Sequence, residues 1–228
     1  MVIKGTISKY KIQQIIQYLK RIGSNSLPNY IPIEKNCPNF HRINMNDERA
    51  YVEGCFHQFS FFPWNQDLLH LFELFKDVYH LKNSINDQPI GKYLGKELEQ
   101  DCIARLSFQF YPAGAGYLNK HQDPVGDNQL AVPILIMSQK GKDFTSGGLY
   151  AMTSTKGKLY ADEIAEPGDI VLINPKLPHG VDIIDSESEP NWLTFNGRWM
   201  MIAATNKMQG SNIVADAIDI EKLRHGSA

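Results

Sequence analysis

The second half of the sequence, from about residue 103 to residue 205, is a series of short apolar or alternating segments separated by turns rich in Gly, Pro and Asp. Runs of about four to eight residues bounded by such turns are typical of β-strands, and a regular series of them favours a sandwich or a barrel. The segments are 103–111, 129–137, 147–152, 170–174, 181–184 and 198–204. We therefore predict a mainly β (α+β) fold with a double-stranded β-helix, or jelly-roll, core and flanking helices.

The first of these segments has one polar and one apolar face. Arg105, Ser107, Gln109 and Tyr111 alternate with Leu106, Phe108 and Phe110. The polar face is either solvated or lines an internal pocket. We favour the pocket, because the segment leads through a Pro-Ala-Gly-Ala-Gly turn to the candidate ligand His121.

The first 100 residues have a different pattern. Helical spacing is shown by Ile12, Ile15, Ile16 and Leu19, and again by Leu68, Leu71, Phe72, Phe75, Val78 and Tyr79. Residues 27–50, rich in Pro and Asn, predict irregular structure, and the five aromatic residues within 56–64 predict core packing more than a pocket wall. No linker is visible, so we predict a single domain: a helical and irregular segment (1–100) on a β core (101–205), with a C-terminal tail or helix (206–228).

Composition narrows the class of partner. Lys plus Arg (23) nearly balances Asp plus Glu (25), for a net charge of −2, so no bulk attraction to nucleic acid or anionic membrane is predicted. Cys37, Cys55 and Cys102 are odd in number and lack Cys-x-x-Cys spacing, which argues against a disulfide framework and a zinc site. This cysteine pattern favours a reducing, cytoplasmic setting, and the balanced charge favours a small-molecule partner. No apolar run is long enough to predict secretion or a membrane span. The oligomeric state is not predicted.

The candidate site consists of two histidines and one carboxylate. His121 and Asp123 lie two positions apart at a predicted strand end, and His179 lies near the start of a later strand. Two His and one carboxylate on one side of a metal leave its other positions open, as in non-haem Fe(II) oxygenases. The alternative is that these are turn residues, with Asp123 forming an Asx-turn before Pro124.

The order of motifs after Tyr111 resembles the Fe(II)/2-oxoglutarate-dependent dioxygenase superfamily over residues 103–205. The motifs are His121-x-Asp123, Gly147-Gly148-Leu149, Pro167-Gly168-Asp169, His179-Gly180-Val181 and Gly197-Arg198. The resemblance implies that His121, Asp123 and His179 bind Fe(II), and that Arg198 holds the far carboxylate of the co-substrate 2-oxoglutarate. Tyr111 and Gln109 are candidate contacts to the oxo acid, with a purely structural hydrogen bond as the alternative.

The resemblance also implies a reaction in which 2-oxoglutarate and O2 become succinate and CO2 while a C–H bond is oxidised. Asp123 stands where the related halogenases have Gly or Ala, so hydroxylation, desaturation or ring formation is expected. We expect a small substrate, such as an amino acid or a natural-product intermediate. A peptide hydroxylase of the same chemistry and a non-catalytic cupin-like binding protein are the alternatives, although the His-x-His typical of cupins is absent.

Overall fold

The structure, a computed structural model, describes residues 1–25, 29–126, 129–155, 157–208 and 217–225. Within these ranges twelve antiparallel strands form one curled sheet, whose main path runs β1-β9-β6-β11-β4-β3-β5-β10-β7-β8. The strands are β1 (Val2–Ile3), β2 (Phe40–Met45), β3 (Gly54–Phe61), β4 (Cys102–Pro112), β5 (Tyr117–Gln122), β6 (Val132–Ile136), β7 (Gly148–Thr153), β8 (Gly157–Tyr160), β9 (Ile170–Ile173), β10 (His179–Asp182), β11 (Gly197–Lys207) and β12 (Ile218–Asp219). The predicted mainly β, jelly-roll class is confirmed.

The curled sheet has two four-stranded layers, β9-β6-β11-β4 and β5-β10-β7-β8. Apolar side chains from both layers form one cluster, which includes Tyr111, Ile136, Leu149, Val181 and Met200. We call the side of each strand that faces this cluster the inner face. Ser107, Gln109 and Tyr111 lie on the inner face of β4 and are buried, so the polar side of this strand is not solvated.

The outer face of the first layer is covered by helices. These helices are α1 (Lys9–Gly23), α2 (Leu71–Leu74) and α3 (Lys76–Ile85), whereas α4 (Ile220–His225) contacts β5 of the second layer. Helix α1 begins where the Ser8 side chain accepts a hydrogen bond from the Lys11 amide, and it buries the predicted stripe Ile12, Ile15, Ile16 and Leu19 against the outer face of β4 and β11. None of the described helices combines the length and apolar character needed to cross a membrane.

Two details of the N-terminal prediction were wrong. Residues 27–50 contain the strand β2, and the aromatic segment that follows is the strand β3, so this half of the chain extends the sheet. Buried polar residues such as Asn44 and Gln58 hide the expected alternation of β2 and β3. The second predicted helix is divided into α2 and α3 at Phe75, which adopts a non-helical conformation.

A pair of histidines is buried on the outer face of β2 and β3. The Nε2 atom of His41 lies 2.9 Å from Nδ1 of His57, and Trp192 and Phe195 pack on the His57 ring from the loop between β10 and β11. Burial lowers the pKa of His41 to about 4 and that of His57 to about 3. Both rings are therefore neutral at physiological pH, and one hydrogen is shared along their contact.

This pair predicts a loss of stability in mild acid. The folded-state pKa values are lower than the 6.5 of an ordinary histidine, so the unfolded chain binds more protons as the pH falls from 6.5 to about 4. The free energy of unfolding should decrease over that window by up to about 1.4 kcal/mol per pH unit for each proton.

Urea unfolding of His41→Gln/His57→Gln at several pH values measures this effect. The double variant should show a shallower pH dependence than the wild type, whereas His70→Asn, a change at an exposed histidine, should keep the wild-type slope. An unchanged slope in the double variant would contradict the assignment of neutral, buried rings.

Candidate metal centre

Three side chains converge where β5 and β10 lie side by side. His121 and His179 are direct partners in the antiparallel register of these strands, and their ring centroids are 4.3 Å apart. Asp123 follows the end of β5, with its Oδ1 3.6 Å from Nε2 of His121 and its Oδ2 3.3 Å from Nε2 of His179. One ligand atom from each residue lies within 4.8 Å of the other two, so the structure brings the three predicted ligands together.

Backbone carbonyls fix the orientation of both imidazoles. Nδ1 of His121 lies 2.8 Å from the carbonyl oxygen of Asn119, and Nδ1 of His179 lies 2.8 Å from that of Leu177. A carbonyl oxygen only accepts, so each Nδ1 carries a hydrogen and each Nε2 points to the common centre, where its lone pair is available to a metal once any proton shared with Asp123 is displaced. This is the arrangement that holds a metal-binding histidine in its ligating tautomer.

The electrostatics of the three groups favour an ionised carboxylate. Burial opposes ionisation of Asp123, but its contacts with the imidazoles of His121 and His179 outweigh burial and hold the pKa of this carboxyl well below its usual range. For His179, burial would lower the pKa, but the contact with Asp123 outweighs it and raises the pKa. A divalent cation would take the place of the proton that His179 shares with Asp123.

Arg198 lies on the inner face at the start of β11, opposite Tyr111 of β4. It is fully buried and forms an ion pair with Asp162, which follows β8: Nε donates to both carboxylate oxygens at 3.0 and 2.9 Å. Asp162 also accepts a hydrogen bond of 2.7 Å from the Leu149 amide. Among the described residues Nη1 and Nη2 of Arg198 have no hydrogen-bond acceptor, although Nη2 lies 2.9 Å from Asp162, so the guanidinium has unused donors.

Asp162 is the site residue that the sequence did not indicate. The sequence feature related to Asp162 is Gly148, whose φ of +119° lies in the region that favours glycine. A Cβ atom at position 148 would lie 2.6 Å from Oδ2 of Asp162, so glycine there makes room for this carboxylate. The Gly147-Gly148-Leu149 motif thus supports the acid that holds Arg198.

Tyr111 and Gln109 form a hydrogen bond with each other, which is one of the two alternatives predicted from the sequence for these residues. The Tyr111 hydroxyl donates to Oε1 of Gln109 at 2.7 Å, and both side chains are buried. Burial raises the pKa of Tyr111, which keeps the hydroxyl protonated. The charges of Arg198 and Asp123 both act on this tyrosine, so it lies within electrostatic range of the arginine and the candidate ligands.

No family model matches the sequence, and no curated protein matches it. Among solved structures, a prolyl-4-hydroxylase from Pseudomonas putida aligns with 92% of this chain and 92% of its own, at 14% identity and a TM-score of 0.57. The two proteins share one fold. The prolyl-4-hydroxylase fold thus extends over the N-terminal strands and helices as well as the jelly roll.

Two further solved structures are less similar. A Trichoplax adhaerens prolyl hydroxylase, in complex with a peptide fragment of the hypoxia inducible factor oxygen degradation domain, covers 100% of this chain and 86% of its own at 14% identity, with a TM-score of 0.45. HygX from Streptomyces hygroscopicus, with nickel and 2-oxoglutarate bound, covers 92% and 82% at 12% identity, with a TM-score of 0.43.

Removal of one histidine should abolish tight metal binding. Because loss of a supporting hydrogen bond alone costs about 10- to 100-fold in metal affinity, His179→Ala should weaken Co(II) binding by at least about 100-fold. The visible absorption of bound Co(II) measures this, with His70→Asn as the control. Equal affinities in His179→Ala and the wild type would exclude the three residues as a metal site.

The buried ion pair makes a separate prediction about stability. Asp162→Ala leaves the Arg198 charge buried without a partner and should lower the free energy of unfolding by about 3–5 kcal/mol. Asp77→Ala, at a side chain that is 99% exposed, should change it by no more than about 0.5 kcal/mol. Urea unfolding of the two variants provides the comparison, and equal small effects would refute the importance of the ion pair.

Proposed function

We propose that the protein is an Fe(II)- and 2-oxoglutarate-dependent oxygenase that hydroxylates, or otherwise oxidises, a C–H bond. The observation that carries the proposal is the convergence of His121, Asp123 and His179 in a fold shared with a prolyl-4-hydroxylase. Two neutral imidazoles and one carboxylate suit Fe(II) and leave coordination positions for an oxo acid and O2.

The residues on the inner face fit the co-substrate as well as the metal. The unused donors of Arg198 are buried and belong to a guanidinium, the group best shaped to bind a carboxylate through paired hydrogen bonds. The protonated Tyr111 hydroxyl lies on the neighbouring strand in direct register with Arg198. Arg198 would hold the far carboxylate of 2-oxoglutarate, with the oxo-acid end directed to the metal, and the Tyr111 hydroxyl would join it by turning its one hydrogen from Gln109 to the carboxylate.

Bound iron would supply the activation of O2, coupled to the conversion of 2-oxoglutarate into succinate and CO2. The chain itself does three things. The carbonyls of Asn119 and Leu177 orient the two ligand imidazoles, the Arg198–Asp162 pair fixes the direction of the oxo acid, and the apolar inner cluster excludes bulk water. Asp123 occupies the position that a halide would need, which favours hydroxylation, desaturation or ring formation.

A small molecule, such as an amino acid or a natural-product intermediate, is the favoured substrate, and we expect neither nucleic acid nor membrane as a partner. The second candidate is a prolyl residue in a peptide, which is supported by the fold likeness to a prolyl-4-hydroxylase. Succinate formation that increases with a proline-containing peptide, but not with free amino acids, would favour this second candidate.

The test of the proposal is spectroscopic. Anaerobic addition of Fe(II) and 2-oxoglutarate should give the wild type a weak visible metal-to-ligand charge-transfer band, and O2 should then yield succinate. Arg198→Gln/Asp162→Asn removes both charges of the buried pair, so the fold should persist while the 2-oxoglutarate concentration for half-maximal band intensity rises at least about 10-fold.

Arg21→Gln, at an exposed position on α1, is the matched control and should behave as the wild type. No band in the metal-loaded wild type would refute the oxygenase and favour a binding protein. A normal requirement for 2-oxoglutarate in the double variant would remove Arg198 from the co-substrate site.

A further inference from the structure

The inner face carries basic residues that the proposed chemistry does not use. Arg42 of β2, Gln58 of β3 and Gln109 of β4 are direct partners across three strands, so they share this face. Arg105 precedes Gln109 by four positions on β4 and therefore points to the same side. Arg105 and Tyr111 are six positions apart, or about 20 Å along the strand, which separates Arg105 from the Arg198 end of the face.

A third basic residue, Lys82, lies within electrostatic range of both Arg105 and Asp123. Lys82 of α3 is fully buried, and its Nζ donates a hydrogen bond of 3.2 Å to the Ala203 carbonyl. The charges of both Asp123 and Arg105 act on Lys82. We call Arg42, Arg105 and Lys82 the basic cluster; its Arg105 lies at the end of β4 away from the Tyr111–Arg198 pair.

The basic cluster has no acidic partner within the described part of the chain, where none of its three residues forms an ion pair within 4.0 Å. Arg42 is accounted for, because it stacks on the Tyr30 ring at 4.4 Å and donates to Gln58 and to the Ile31 carbonyl. Arg105 is different: its Nε and Nη1 atoms are buried and find no acceptor among the described residues.

The buried surroundings of Arg105 and Lys82 lower the pKa values of both side chains. Burial, reinforced by the charge of Arg42, lowers the pKa of Arg105 to about 10. Burial also lowers the pKa of Lys82 to about 7. Unpaired buried charges destabilise a fold, and a ligand of opposite charge relieves that cost.

The negative charge of the proposed Fe(II)–2-oxoglutarate complex does not balance the positive charge of the basic cluster either. Fe(II), Asp123, the 2-oxoglutarate dianion and the Arg198–Asp162 pair together carry one negative charge. Arg42 and Arg105 together carry two positive charges, and protonated Lys82 would add a third. At least one positive charge of the basic cluster is therefore left for the substrate to balance.

We propose that Arg105, supported by Arg42 and Lys82, binds an oxyanion group of the primary substrate, so that the molecule oxidised is a small acid bearing a carboxylate or a phosphate. This inference rests on the proposed function, because it places the substrate between Arg105 and the metal centre. The Nε and Nη1 donors of Arg105 point in different directions, so each would donate one charge-assisted hydrogen bond to an oxygen of the ligand.

The experiment titrates inorganic phosphate, and separately acetate, into protein that holds Zn(II) and a fixed saturating concentration of 2-oxoglutarate, so that Arg198 is occupied. Calorimetry at constant ionic strength should show saturable binding of at least one of the anions to the wild type. Arg105→Gln should weaken it at least 10-fold, and Arg105→Lys should recover part of the loss. Arg21→Gln, with the same change of charge at an exposed site, should bind as the wild type.

Tighter binding of phosphate supports a phosphorylated substrate, and tighter binding of acetate supports a carboxylic acid. Absence of saturable binding to the wild type, or equal affinity in Arg105→Gln, would overturn the inference. The anaerobic charge-transfer band, recorded for Arg105→Gln, shows that this variant is folded and loaded. Loss of the band in every protein, wild type included, would refute the oxygenase proposal by a separate readout.

Discussion

The register between β5 and β10 is the constraint on which the candidate site depends. It sets His121 directly opposite His179, and because side chains alternate along a strand, a slip of one residue would turn one imidazole to the opposite face. Backbone contacts then complete the geometry, since a carbonyl two residues before each histidine holds its ring. Sheet pairing, more than any local motif, therefore determines that three ligand atoms meet at one centre.

Charge is distributed unevenly around that centre. On one side Arg198 is neutralised by Asp162 and retains donors for a carboxylate. On the other side the basic cluster is held by neutral acceptors and an aromatic ring, at a cost to stability. In our proposal these unpaired cations lower stability and serve ligand binding, which is the usual relation between active sites and their scaffolds.

The sequence predicted six of the strands after residue 100 to within about three residues of their ends, because Gly and Pro turns bound them and their residues are mostly buried. The segments that form β5, β8 and β12 were not among the predicted strands. The sequence also identified His121, Asp123 and His179, the three residues that converge at the candidate metal centre. It did not predict β2 or the strand identity of β3, where buried polar side chains disrupt alternation. Neither Asp162 nor Lys82 was found, because each acts through a contact with a residue distant in the chain, and no local spacing encodes such a contact.

The close fit between Gly148 and Asp162 has an evolutionary consequence. A side chain at position 148 would occupy the space of the carboxylate, and loss of the carboxylate would leave the adjacent guanidinium without its counter-ion. The two positions can therefore change only together, and they should covary among homologues. A homologue with a bulkier residue in place of the glycine would have to anchor its arginine in another way, and the pair of positions would serve as a marker for that divergent subgroup.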